Sequence, residues 1–115
     1  MRVLSLFDGI CCGHLALERA EIKIDSYDAY EIEPNAIKAT QANFPDVVHH
    51  GDVTKEDFTK YKGKVDIIIG GFPCMDVSMA GKGAGLKGAR SGLFYEFLRA
   101  MEECQPKYFL VENVV

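Results

Sequence analysis

Five short runs rich in β-branched and aromatic residues recur along the chain, and the pattern between them turns helical. The runs are Val3–Phe7, Ile24–Tyr30, Val47–His50, Val65–Ile69 and Tyr108–Val111, and each reads as a strand. Helices are expected over Leu15–Ala20, Asn35–Asn43 and Leu93–Met101, the last with Leu93, Phe94, Phe97, Leu98 and Met101 on one apolar face, and a short connecting helix or turn over Lys55–Tyr61. Pro34 suits the first turn of the second helix, and the third has to stop before Pro106. Strand alternating with crossover predicts a doubly wound, mostly parallel α/β sheet. A chain of 115 residues that is 48% hydrophobic has enough core for one small domain, and no repeat or linker divides it.

Parallel strands put all their carboxyl ends on one edge, where such sheets bind ligands. The residues at those five ends therefore matter most. After strand one comes Asp8-Gly9-Ile10-Cys11-Cys12-Gly13, a tight loop that opens a helix and aims its N-terminus at a polar ligand. Its two glycines do not make the Gly-x-Gly-x-x-Gly pattern of dinucleotide sites. After strand two stands Glu31, about 20 residues past that turn, where α/β nucleotide sites hold ribose hydroxyls. Ile32 beside it is an apolar surface for an adenine ring, and Asp52 after strand three is an acceptor for an adenine amino group. Glu112 follows strand five.

The fourth end carries Gly70-Gly71-Phe72-Pro73-Cys74. The two glycines read as a tight turn, with Pro73 fixing the backbone before the cysteine. A free cysteine usually just fills space. Cys74 is set apart by its place at a strand end and by the loop beyond it. Met79–Gly92 holds five of the eleven glycines, and its only charges are Lys82, Lys87 and Arg90. A cysteine beside a hinged, purely basic loop reads as a nucleophile facing an anionic substrate.

Charge and cysteine usage narrow the classes. A net charge of −4 argues against nucleic-acid binding over the whole surface but leaves room for a local basic loop. Cys11, Cys12, Cys74 and Cys104 form no disulfide framework and no Cys-x-x-Cys pair, so a reduced, cytoplasmic setting is expected. His49 and His50 point to opposite faces of a strand, so no metal site is expected. No stretch is apolar and long enough to span a membrane, and the N-terminus lacks a signal-peptide pattern.

The motifs, taken in order, resemble the N-terminal part of the DNA (cytosine-5)-methyltransferase family. Phe7-Asp8-Gly9 is similar to the family's first motif for S-adenosylmethionine. Glu31-Ile32 resembles its ribose and adenine contacts, Asp52-Val53 its adenine-edge contact, and Pro73-Cys74 its catalytic pair. Arg90-Ser91-Gly92-Leu93-Phe94 resembles the segment whose helix packs beside the cofactor, and Glu112-Asn113-Val114 the Glu-Asn-Val motif. Many members have Gly-Gly where this chain has Cys11-Cys12, which makes the turn less permissive here. Met75 stands where many bacterial members have Gln.

The resemblance implies a Rossmann-like S-adenosylmethionine-dependent methyltransferase fold whose sheet stops after strand five. It implies S-adenosylmethionine as cofactor, held by Phe7, Asp8, Gly9, Ile10, Cys11, Cys12, Glu31, Ile32, Asp52, Val53 and Leu93. Catalysis would rest on Cys74, Glu112 and Pro73, with Ser78, Lys82, Lys87 and Arg90 meeting double-stranded DNA. Residues 1–115 would be the N-terminal part of the catalytic domain, without the family's target-recognition region, in a bacterial or phage-infected cell. The competing expectation is a truncated or split-enzyme cofactor-binding fragment, or a pseudoenzyme, without methylation activity of its own, a second polypeptide carrying that region in the split case. A nicotinamide oxidoreductase fits less well, for want of a third glycine. A cysteine hydrolase fits less well again, because His14, His49 and His50 all lie in the first half of the chain, away from Cys74.

Overall fold

A computed structural model of the chain describes residues 1–71 and 92–112. The expectations for Pro73, Cys74, Ser78, Lys82, Lys87 and Arg90, and for Asn113-Val114, fall outside those residues.

The five expected strands are present as β1 (Arg2–Leu6), β2 (Ser26–Tyr30), β3 (Val48–His49), β4 (Ile67–Gly71) and β5 (Tyr108–Glu112). They form one sheet in the order β3-β2-β1-β4-β5, and every pair is parallel. Three helices, α1 (Cys12–Arg19), α2 (Pro34–Asn43) and α3 (Gly92–Cys104), make the main crossovers. Two short 3-10 turns, Val53–Lys55 and Phe58–Tyr61, lie between β3 and β4.

Alternation along the central strands divides the core between the two faces of the sheet. On one face Leu4, Leu6, Tyr30 and Ile68 pack with Val53, Phe58, Phe97, Ala100 and Cys104, which brings the 3-10 turns and α3 against the sheet. On the other, Val3, Tyr27 and Ala29 pack with Cys11, Leu17 and Val47, and Phe44 at the end of α2 closes over them. Crossovers on both faces make the sheet doubly wound, as expected. The structural class is a Rossmann-like, doubly wound parallel α/β sheet.

Local chemistry sets the helix ends. Glu33 caps α2 by accepting the Ala36 N–H at 2.7 Å, and Pro34 occupies its first turn. α3 ends at Cys104 because Gln105 turns left-handed (φ 51°) before Pro106. Its buried stripe is Phe97, Ala100 and Cys104, while Leu98, expected to lie inward, is 40% exposed. The apolar spacing pointed to the correct side of this helix but centred it one position off.

The largest correction concerns Gly70 and Gly71. Both belong to β4 and pair with Val111 and Glu112, so neither makes a turn. At Gly70 glycine is needed for space, and at Gly71 the neighbour is only the end of a flexible side chain. A Cβ on Gly70 would stand 2.6 Å from the Phe97 ring, and one on Gly71 would stand 2.9 Å from Oε2 of Glu112. β4 also begins at Ile67, two residues later than the apolar run suggested.

Candidate active site

Strand register brings the motif residues together. Leu6 pairs with Tyr30 and Gly70, and Gly71 pairs with Glu112, so β1, β2, β4 and β5 end on one edge. The chain leaves β1 through Phe7, which takes a left-handed conformation at φ 56°. Gly9 and Cys11 are left-handed as well, at φ 62° and 69°. The adjacent Cys11-Cys12 therefore includes one residue in a conformation that glycine would adopt freely, as the departure from Gly-Gly suggested. The Cys11 side chain is fully buried beneath the turn, whereas Cys12 is exposed.

Glu31 organises this turn. Its Oε1 accepts the Gly9 N–H at 2.8 Å, and its Oε2 accepts the N–H groups of Ile32 and Glu33 at 3.0 and 2.9 Å. Of roughly four acceptor positions on a carboxylate, three are filled, which leaves Oε1 able to accept one more hydrogen. Asp52 has a similar double use. Its Oδ1 accepts from the Thr54 N–H and hydroxyl at 2.9 and 2.8 Å, which caps the first 3-10 turn and lowers the carboxyl pKa below its ordinary value. Oδ2 keeps no protein partner among the described residues.

Two hollows open on this edge and share Phe7. The first, of about 120 Å³, is lined by Phe7, Tyr30, Glu31, Ile32, Gly51, Asp52, Val53 and Leu93. Its walls are mostly apolar, with the two carboxylates at hand, and Ile32 is 71% exposed. The second, of about 240 Å³, runs from Ser5 and Asp8 past Cys12, Gly13 and Gly70-Gly71 to Leu110 and Glu112. Asp8 is held by Ser5 Oγ at 2.7 Å and Tyr27 OH at 2.9 Å, both on Oδ1, and its buried Oδ2 has no partner among the described residues. A mostly apolar slot with acceptors at its edge, sharing Phe7 with a hollow that carries the Asp8 and Glu112 carboxylates, suits a nucleoside joined to a charged tail.

Of the expected site residues, Phe7, Glu31, Ile32, Asp52, Val53 and Leu93 line the first hollow, and Asp8, Cys12 and Glu112 the second. Gly9 takes part through its N–H to Glu31, and Ile10 is 61% exposed at the rim of the turn. Tyr30, Gly51, Ser5 and Gly13 were not foreseen. Tyr30 and Gly51 directly precede Glu31 and Asp52, so a search one residue inward from each strand-end acid would have found them.

Another hollow, about 580 Å³, lies elsewhere, between His14, Glu18 and Glu21 of the α1 region and the approach to β2 at Ile22–Tyr27. It brings together none of the strand-end residues.

The parallel sheet, with paired hollows at its strand ends, is of the Rossmann-like kind. Residues 1–115 match the model of the C-5 cytosine-specific DNA methylase, and the chain belongs to that family. It is 45% identical over 113 residues to the type II methyltransferase M.Eco47II of Escherichia coli, covering 97% of this chain and 27% of that protein. It is 43% identical over 113 residues to the type II methyltransferase M1.ScrFI of Lactococcus lactis subsp. cremoris, covering 98% and 28%. The crystal structure of S. pombe Dnmt2 methyltransferase superposes with a TM-score of 0.78 at 26% identity, covering 99% of this chain and 34% of that one. The chain thus spans about a quarter of the length of the curated relatives it matches.

Proposed function

We propose that the chain is the cofactor-binding and nucleophile-bearing part of a DNA cytosine-5 methyltransferase. The observation that carries this is the pair of hollows meeting at Phe7 on the edge where β1, β2, β4 and β5 end. Glu31 would accept from a ribose hydroxyl, Asp52 Oδ2 from an adenine amino group, and Ile32 would cover the ring. Asp8 and the turn after β1 would meet the charged amino-acid tail. S-adenosylmethionine, when bound, supplies an electrophilic methyl group on a sulfonium.

The remaining chemistry belongs to the chain. Cytosine C5 is a poor nucleophile until a thiolate adds to C6. Cys74 is assigned that addition, which makes C5 an enamine carbon able to take the methyl group. Loss of the C5 proton then expels Cys74 and restores the aromatic ring. Glu112 is assigned to N3 and the exocyclic amine of the base, where a protonated carboxyl offsets charge developing on the ring. Pro73 would orient Cys74. The base has to leave the duplex to be reached, and Ser78, Lys82, Lys87 and Arg90 are assigned to its phosphates.

One observation favours a second reading, in which another polypeptide supplies target recognition. β5 has β4 on one side and no strand on the other among the described residues. Its Tyr108, Phe109 and Leu110 are each more than half exposed.

The test is calorimetric titration of the 115-residue chain with S-adenosylhomocysteine, beside Glu31→Ala. Saturable binding that the variant loses supports the cofactor reading. A folded chain that binds nothing overturns it. Addition of the C-terminal part of a relative in trans, with DNA methylation as the readout, separates the two readings of how activity is completed.

A further inference from the structure

Two walls of the smaller hollow, Val53 and Leu93, come from outside the strand ends, and Arg99 of α3 joins the helix that carries Leu93 to the turn that carries Val53. Arg99 donates from Nη2 to the Val53 carbonyl at 3.0 Å and from Nη1 to the Glu56 carbonyl at 2.7 Å. Its own helix holds the guanidinium in place. Glu96 accepts from Nε at 2.9 Å, and Glu103 accepts from Nη1 at 3.2 Å. The guanidinium lies over the Phe58 ring, 4.8 Å from its centroid, and Glu103 also accepts the Phe58 N–H at 2.9 Å.

The 3-10 turn Val53–Lys55 is therefore gripped from two sides. Asp52 caps its front through Thr54, and Arg99 takes the carbonyls at its start and just beyond its end. A planar fork with five donors can reach two carbonyls and two carboxylates together, which a lysine ammonium cannot do. The helix that carries Arg99 also presents Leu93 to the hollow.

We infer that Arg99 is a positioning residue for cofactor binding. By fixing Val53–Glu56 against α3 it sets the gap between Val53 and Leu93, and so the affinity for the nucleoside part of the ligand. This rests on the cofactor reading of the site. Arg99 does not touch the ligand, and its influence passes through two backbone carbonyls.

The test is calorimetry with S-adenosylhomocysteine and with adenosine on the wild-type chain, Arg99→Met, Arg99→Lys and Arg2→Met. Arg2 is a control of comparable bonding, paired with Asp66 and the Gly63 carbonyl at the opposite end of the strands. Arg99→Met is expected to weaken both ligands by about tenfold, with Arg99→Lys recovering about half of that on a logarithmic scale. Arg2→Met is expected to leave both affinities unchanged even where its Tm falls as far. A folded Arg99→Met with wild-type affinities overturns the inference, because a merely structural arginine would lower Tm alone. Should Arg99→Met not fold, wild-type affinity in Arg99→Lys overturns it equally. A folded wild-type chain that binds neither ligand overturns the cofactor reading and this inference with it. Loss confined to the Arg99 variants leaves the cofactor reading intact and supports the positioning role.

Discussion

Oε1 of Glu31 and the backbone N–H of Gly9 lie 2.8 Å apart and tie the turn after β1 to the end of β2. The same carboxylate also serves the N–H groups of Ile32 and Glu33, so one side chain fixes two adjacent strand ends. Glu31→Gln keeps the shape but exchanges a charged acceptor for a neutral one. It is expected to cost about 1–2 kcal/mol of stability in urea unfolding and to weaken S-adenosylhomocysteine at least severalfold. Unchanged affinity would remove Glu31 from the ribose site.

Gly70→Ala and Gly71→Ala should behave differently although they are neighbours. A Cβ at residue 70 meets the ring of Phe97, which is 1% exposed and locked in the core. Overpacking there is expected to cost about 1–3 kcal/mol, with partial recovery in the Phe97→Leu double variant. A Cβ at residue 71 crowds the far end of the Glu112 side chain, which can swing away, and stands at ordinary contact distance from its Cβ. Gly71→Ala should therefore leave the Tm nearly unchanged. In a complete enzyme built on this chain, it should lower methyl transfer by displacing Glu112.

The acid limb of stability should depend on Asp66. Arg2 donates to both of its carboxylate oxygens and also through its backbone N–H, which holds the carboxyl at about 2 against an ordinary 3.8. A depressed pKa stabilises the folded state above the unfolded value, and that contribution is lost as pH falls through the folded value. The difference in urea midpoint between wild type and Asp66→Asn should be constant above about pH 5 and shrink steadily toward pH 2. A difference that grows on acidification would contradict the pairing.

Thiol reactivity should separate the described cysteines. Burial, with the Asp8 carboxylate nearby, pushes the Cys11 thiol up to about 12, and burial pushes Cys104 up to about 11. Neither holds appreciable thiolate at neutral pH, and both are enclosed. Cys12 is exposed. Brief alkylation at pH 7.5 followed by peptide mass spectrometry should mark Cys12 and spare Cys11 and Cys104, and prior denaturation should mark all three. Labelling of Cys11 in the folded chain would mean that the turn after β1 opens.

Much of this architecture is legible in the residues because it rests on local, periodic signals. The alternation of β-rich runs and helical segments led to the parallel sheet, and the acids at the run ends led to the edge where the hollows lie. Features that depend on contacts between distant segments were not legible. Gly70-Gly71 reads as a turn because glycine pairs usually mark turns, yet both pair with β5, and what a side chain there would meet is a ring from α3 and a carboxylate from β5. Arg99 looks like a surface residue of an amphipathic helix, and its bonds to Val53 and Glu56 link residues more than 40 positions apart. Leu98 follows the apolar spacing yet stays 40% exposed, since Phe97 and Ala100 already fill the groove against β1 and β4.

The side of β5 away from β4, which carries no strand among the described residues, gives assembly a kinetic dimension. As an edge strand among the described residues, Tyr108-Phe109-Leu110 offers an edge and apolar side chains to any extended segment it meets, another copy of the same strand included. Productive pairing and self-association then compete for one surface. The first depends on the supply of a covering strand, and the second rises steeply with the concentration of the chain itself. Dilution, slow synthesis or co-expression with a covering segment should therefore decide how much of the chain stays in solution, with no change to any residue of the cofactor edge.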